Sequence, residues 1–364
     1  MPFALQKRGL AYNNLKKTNE AIADFKRVLD EYPSSKIAPG ALLSLQETLS
    51  ATNQTEAIEP YLARFKAANP QSNAVESIEF EAAKSLYFNE KYAQAITKLD
   101  NYIKTYPNST FASDARYFLA DSYLKSNNRE AALTQFRAVV SENKSEYLNR
   151  AILRTADLEF DNRNYAEAIN NYKRLRDISA NKKEQANALM GMMRSYFLTA
   201  DYPNTKLIAD ELISLGNASL NAYNSALLHK GKASYAQNNL EAALKEFSST
   251  ATSATDVNGA EAQYSIAEIY LKQSKYKEAH EAAQKVGASF ANYDYWLVKS
   301  FLLIADIYVA QKENFQAEAT LNSIIENATI KELVDEAKAK LATLKAPTAT
   351  PAAAPDSTNT TNTN

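Results

Sequence analysis

Gly9-Leu10-Ala11-Tyr12, then Ala21-Ile22-Ala23-Asp24-Phe25, then Glu31-Tyr32-Pro33-Ser34-Ser35 set a pattern of small and aromatic positions that returns down the chain. The middle element is the clearest. An alanine precedes an apolar or aromatic residue four places on at Ala21/Phe25, Ala57/Tyr61, Ala95/Leu99, Ala132/Phe136, Ala168/Tyr172, Ala243/Phe247, Ala279/Ala283 and Ala317/Leu321, with Thr205/Ala209 filling the gap. Successive steps are 36, 38, 37, 36, 37, 38, 36 and 38 residues. Alanine is common here, but eight alanines in nine aligned slots at near-constant spacing mark an internal repeat.

Twelve residues upstream of each anchor lies a second small slot, at Gly9, Ala83, Ala120, Ala156, Gly231, Ala267 and Ala305, with Leu45 and Met193 as exceptions. A tyrosine follows three residues later at Tyr12, Tyr123, Tyr196, Tyr270 and Tyr308. Polar turns such as Asn127-Asn128-Arg129, Asp161-Asn162-Arg163-Asn164 and Gln237-Asn238-Asn239 separate the halves. Each unit therefore reads as helix A, a short turn and helix B. Small residues let two antiparallel helices approach closely, and a hairpin that cannot bury its apolar face alone must stack on the next. Leucine at Ala132 or Ala243 should overpack this contact, at a cost of roughly 1–3 kcal/mol.

The pattern resembles the tetratricopeptide repeat family over about residues 3–328. Gly9, Tyr12, Ala21, Phe25 and Pro33 stand in the family's register in the first repeat, and Pro70 and Pro107 repeat the proline near the end of helix B. The resemblance implies an all-α, right-handed α-solenoid of about nine helix-turn-helix hairpins. Glu31-Tyr32-Pro33-Ser34-Ser35 and Thr105-Tyr106-Pro107-Asn108-Ser109 are similar to the variant in bacterial envelope proteins, such as outer-membrane-assembly lipoproteins and the periplasmic partner of the Tol–Pal system.

Composition agrees with a folded helical array. Hydrophobic residues are 45% and charged residues 23% of 364, and only 7 glycines and 10 prolines leave little room for a turn-rich β fold. A net charge of −1 argues against a nucleic-acid partner. Cysteine is absent, which excludes disulfides and thiolate metal sites and leaves the compartment open. No run of about 18 apolar residues is present, so no membrane span is expected. The chain enters helical pattern at once from Met1, which reads as an array begun part-way, preceded by more protein. Residues 331–345 read as an amphipathic capping helix that closes a solenoid over 1–345. Residues 346–364, dominated by Pro, Ala, Thr and Asn, are expected to be a disordered tail.

No catalytic constellation stands out, and no cofactor or metal is expected. His229 and His280 lie in different repeats, and neither belongs to a metal-ligand pattern. The glycines form no phosphate-binding loop. Met190-Gly191-Met192-Met193 reads as flexible core filling, with a plastic or soft-metal surface as the other reading. Tyr293-Asp294-Tyr295-Trp296 reads as packing against the preceding hairpin, with an interface anchor as the alternative.

Binding is expected on the concave face that the family lines with helix A. The residue after each small slot reads Leu10, Gln46, Lys84, Asp121, Asp157, Arg194, Lys232, Glu268 and Asp306, and the position three further on includes Tyr87, Phe160, Phe197 and Tyr235. Mixed charges with aromatics between them suit an extended peptide or partner helix. Any amphipathic helix also carries charges outward, so these are candidates. The Lys/Asn clamp by which co-chaperones of the family hold a C-terminal carboxylate is not complete at Gln6, Leu10 and Gln46, or at Phe80, Lys84 and Asp121. The expectation is a non-catalytic scaffold for a protein or peptide partner in a bacterial cell envelope, periplasmic or outer-membrane-associated and part of a multi-protein complex. The alternatives are a cytoplasmic adaptor, or the regulatory array of an enzyme whose catalytic domain lies outside this chain.

Overall fold

A computed structural model describes residues 1–70, 72, 74–216 and 219–346; the tail expected beyond them lies, from residue 347 on, outside the described residues. All secondary structure among these residues is helical, in two compact units. The first, Met1–Thr199, contains α1 (Pro2–Asn14), α2 (Thr18–Glu31), α3 (Ala38–Ala51), a 3-10 turn (Thr55–Ile58), α4 (Glu59–Ala68), α5 (Ala74–Phe88), α6 (Tyr92–Thr105), α7 (Ala112–Lys125), α8 (Arg129–Glu142), α9 (Leu148–Asp161), α10 (Tyr165–Ile178) and α11 (Lys182–Leu198). The second begins at Ala200 and contains α12 (Tyr202–Ser214), α13 (Leu220–Ala236), α14 (Leu240–Ser253), α15 (Val257–Lys272), α16 (Tyr276–Ser289), α17 (Asp294–Ala310), α18 (Asn314–Asn327) and α19 (Lys331–Lys345). Odd-numbered helices up to α17 are the expected helices A, even-numbered ones the helices B, and α19 is the expected final helix.

Each hairpin is drawn together at its small slots. Ala21, Ala95, Ala132, Ala168, Thr205, Ala243, Ala279 and Ala317 are all fully buried. Opposite them, a Cβ at Gly9 would sit 2.6 Å from the Phe25 ring, and one at Gly231 would sit 2.6 Å from the Phe247 ring. Those glycines admit an aromatic edge where any other residue would push the helices apart.

The A-to-B turns share one backbone device. Lys16, Glu90, Asn127, Arg163, Ala200, Asn238, Ser274 and Lys312, each seven residues after a small slot, adopt left-handed φ between 57° and 64°. After all of these but Ala200, the next amide reaches back to the carbonyl five residues earlier, as in Lys17 to Tyr12 (2.9 Å), Asn128 to Tyr123 (2.9 Å) and Glu313 to Tyr308 (2.8 Å). This Schellman closure satisfies helix-end carbonyls that would otherwise lack a partner.

The same device corrects the second repeat. Its left-handed residue is Asn53, and the closing bond runs from Gln54 to Leu49 (2.8 Å), which puts the small slot at Gln46 and the anchor at Ile58. Ile58 is 1% exposed, and Leu62 and Phe65 follow it inward, whereas Ala57 is only half-buried. The true register is one residue later than the alanine suggests. Gln46 is thus an interior residue, 3% exposed, whose amide donates to Ser50 Oγ (2.9 Å) and Ser85 Oγ (3.0 Å), and it leaves the expected groove.

Hairpins connect in two ways. After α2, α4 and α6, Pro33, Pro70 and Pro107 hold the preceding residue out of helical conformation, and the amides of Ser35, Ser72 and Ser109 close a turn on the carbonyls of Tyr32, Asn69 and Tyr106. After α10, α12 and α14, where the proline is lost, the next helix A starts behind a side-chain cap. Asn181, Ser219 and Asp256 accept from the amides of Lys183 (2.8 Å), Ala222 (3.0 Å) and Asn258 (3.0 Å), and α11, α13, α15 and α17 extend to 16–17 residues against 13–15 before them. Within each unit most successive helices A pack on one another, as α3 on α5, α9 on α11 and α13 on α15, whereas among helices B only α2 and α4 do so comparably. Helices A therefore form the inner layer of each unit.

Candidate functional site

Burial leaves each helix A one open stripe. On α9 the buried residues are Ala151, Ile152, Thr155, Ala156, Leu158 and Glu159, so the face turned from the core runs through Arg150, Arg154, Asp157 and Asp161. Glu159 is held inside by the Arg137 guanidinium and the Asn164 amide, which braces α8 against α9.

The expected groove residues lie on this inner layer, and six of them meet in three pairs between neighbouring helices A. The Tyr87 hydroxyl donates to Asp121 (2.7 Å), the Arg194 guanidinium lies 4.6 Å from the Phe160 ring centroid, and Tyr235 faces Glu268 closely enough for each to shift the other's titration. These partners stand 34, 34 and 33 residues apart, so each aromatic at the end of one helix A reaches the charged residue of the next. Asp121 is only 3% exposed, which makes it a brace more than an open surface. The remaining residues bond outside the set. Lys84 pairs with Glu81 (2.6 Å), Lys232 with Glu261 (2.7 Å), and Asp306 accepts from Lys340 of α19 (2.7 Å). Asp157 accepts from the hydroxyl of Tyr172 on its own helix B (2.8 Å), and Phe197 is half-buried on α11.

Two carboxylates on this face are electrostatically strained. Burial raises the Asp157 carboxyl above its ordinary value, against the Tyr172 hydrogen bond and the Arg154 and Arg194 charges, which lower it. Burial likewise raises Glu268, opposed by Tyr235, Lys299 and Lys272. Tyr87, Tyr172 and Tyr235 are in turn all raised, first by burial and then by the acid each one faces.

The structure also shows where sequence reasoning stopped short. Arg150 and Arg154 share the open stripe of α9 with Asp157, two turns and one turn before it, whereas the register singles out only Asp157 and Phe160 on this helix. Their places three and seven residues ahead of Asp157, on the same helical face, were the available signal. Two clefts also open on the outer side, between successive helices B. One of about 460 Å³ lies between α4 and α6 over Ala82, Ala83 and Leu86 of α5, beside the shifted second repeat. The other, about 840 Å³, lies between α16 and α18 over Leu297, Phe301 and Ile304 of α17.

The other singled-out residues serve the core. Met192 and Met193 are buried, and Gly191 lies against the Tyr172 ring so closely that a side chain there would clash. Trp296 packs at 5.3 Å on Tyr264 of the preceding hairpin, and the Tyr293 hydroxyl donates to the Thr255 carbonyl (3.1 Å). His229 Nδ1 lies 2.8 Å from the Ser225 carbonyl, and His280 lies 3.2 Å from the Tyr308 hydroxyl. No group of potential metal ligands assembles among the described residues, and none of their helices is long and apolar enough to cross a membrane.

Against known families, tetratricopeptide repeat profiles match residues 3–35, 117–183 and 228–293, and a profile described as outer membrane lipoprotein matches 44–147. No curated protein matches. Among solved structures, the C-terminal part of a tetratricopeptide-repeat protein from Cytophaga hutchinsonii is 15% identical, with 79% of this chain and 96% of that one covered and a TM-score of 0.43. The pilF protein of Pseudomonas aeruginosa is 18% identical over 61% of this chain and 95% of that one, with a TM-score of 0.40. YrrB, described as having an unusual peptide-binding site, is 14% identical over 55% and 96%, with a TM-score of 0.41. The fold assignment rests on the helices and slots of the chain itself.

Proposed function

Because this chain is a tetratricopeptide-repeat protein, a kind that generally mediates protein–protein interaction, we propose that it is a non-catalytic scaffold that holds a polypeptide partner on the inner faces of its helices A in a bacterial cell envelope. The supporting observation is the inner layer itself, where several repeats set a ring beside a charge, as with Arg194 on Phe160 and Lys272 on Tyr235. The outer membrane lipoprotein profile over 44–147 supports the compartment, since it spans the Thr105-Tyr106-Pro107-Asn108-Ser109 connection.

The test is cross-linking in the native cell, with mass spectrometry of the partners and of the chain's own peptides. Envelope partners captured through helix-A positions, and lost when Lys84, Arg194 and Lys232 are together changed to Glu, are the expected result. Equal loss from charge reversal on the outer faces of helices B would overturn the inner-face assignment. Cytoplasmic partners alone would overturn the compartment.

A further inference from the structure

All 12 arginines of the sequence lie in residues 1–199, and none in 200–364. The first unit carries 27 Lys+Arg against 23 Asp+Glu, a net of +4; the second carries 14 against 19, a net of −5. Nothing in the shared repeat requires this, since both units use the same slots and turns. Seven of the arginines, such as Arg8 on Asp24 and Arg116 on Glu142, close ion pairs.

Arg150, Arg154 and Arg194 differ. All three are exposed on the inner layer, and none closes an ion pair among the described residues. Two are held by rings instead. Arg194 lies over Phe160 (4.6 Å), while Arg150 lies 5.8 Å from the Tyr147 ring. Arg154 stands one helical turn from Arg150, and both Arg154 and Arg194 act on Asp157, which places the three cations around one stretch of α9 and α11. Asp157 offsets them only in part, because its carboxylate is engaged by Tyr172; Asp161 is taken by Arg129. Stacking uses the face of a guanidinium and leaves its N–H edge, the part that grips a carboxylate in two parallel hydrogen bonds.

We infer that the inner faces of α9 and α11 form a docking site for an acidic, extended segment of a partner protein, whose successive Asp or Glu side chains are taken by Arg150, Arg154 and Arg194. This rests on the scaffold reading above and adds the ligand's chemistry. Recognition is of side-chain carboxylates within a segment, so it does not need a free C-terminus. The acidic second unit has no equivalent.

The experiment uses the full chain and a fluorescent oligoglutamate peptide blocked at both ends, followed by anisotropy at low and moderate salt. The wild type should bind, more weakly as salt rises. Changing Arg150, Arg154 and Arg194 together to Gln should weaken binding by about 30-fold or more. Removing three charges from exposed helix-B positions of the second unit, Lys245, Lys277 and Lys285 to Gln, should change it by no more than about threefold. The three arginines changed to Lys should recover only part of the affinity, because lysine offers no fork. No binding by the wild type, equal losses from the two triple variants, or tighter binding of an equally charged single-stranded DNA would each overturn the inference. A wild type that ignores oligoglutamate but still cross-links a protein through its inner face would sink this inference and leave the scaffold reading standing.

Discussion

The two units solve the same packing problem in the same way and then differ in what they show to solvent. Gly9 against Phe25 in the first and Gly231 against Phe247 in the second are one contact built twice, at the same distance. Beyond that contact they diverge. From α5 to α9 the first unit carries a continuous ring cluster: Phe80 stacks on Phe111 (5.1 Å), Phe118 meets Tyr87 (5.1 Å), and Tyr117 stacks on Tyr147 (4.6 Å). Such aromatic contacts are sparser among the described residues of the second, where Trp296 on Tyr264 is the main one. Slots inside a hairpin are fixed by close packing, whereas residues between hairpins and on the inner stripe are free to specialise. The arginines, like the rings, are therefore a property of one unit and not of the fold.

The largest expected effect would break the comparison at its centre. Phe118→Ala in the first unit and Phe247→Ala in the second should each cost about 3–5 kcal/mol in urea unfolding. Phe118 should cost more by about 1 kcal/mol, since its ring contacts add to its burial. Equal costs would show that the ring cluster contributes nothing beyond buried area. Next come Gly9→Ala and Gly231→Ala, each destabilising by about 1–3 kcal/mol because the new methyl enters the facing ring. These two should agree closely, and a marked difference would mean that the units do not share one hairpin design.

The smallest effect sharpens the comparison of the inner faces. Asp157 and Glu268 both have folded-state values raised by burial, so the native state binds their protons more tightly than the unfolded chain does. Their contribution to stability therefore falls as pH rises from the ordinary carboxylate value through the raised one, and stays low above it. Asp157→Asn and Glu268→Gln should leave stability at about pH 3 unchanged and raise it at pH 7, by less than the glycine substitutions lower it. A loss of stability at pH 7 in either variant would show that the ionised carboxylate, held by its tyrosine, stabilises that unit.

Much of the hairpin was legible because its constraint is local in sequence and periodic. Ala132 and Ala243 occur where two helices must touch, and the proline of Tyr106-Pro107 stops helix B by excluding the residue before it from the helical region. The second repeat misled because Ala57 looks like the anchor in a chain rich in alanine. The structure chose Ile58, whose larger side chain fills the same position behind a 3-10 turn. The inner-face residues were found by register, but not their partners. That Tyr87 meets Asp121, or that Arg194 lies on Phe160, depends on how far one hairpin is rotated on the next.

The sequence by itself determined the repeat, its period, the A and B helices and the tight contact inside each hairpin, because close packing leaves only small residues at those slots. Only the tertiary structure decided which inner-face charges are consumed. Asp121 and Asp306 are taken by neighbours about one repeat away, while Arg150, Arg154 and Arg194 close no ion pair among the described residues. Pairing of that kind is set by side-chain reach across two packed helices, a distance that no single repeat encodes.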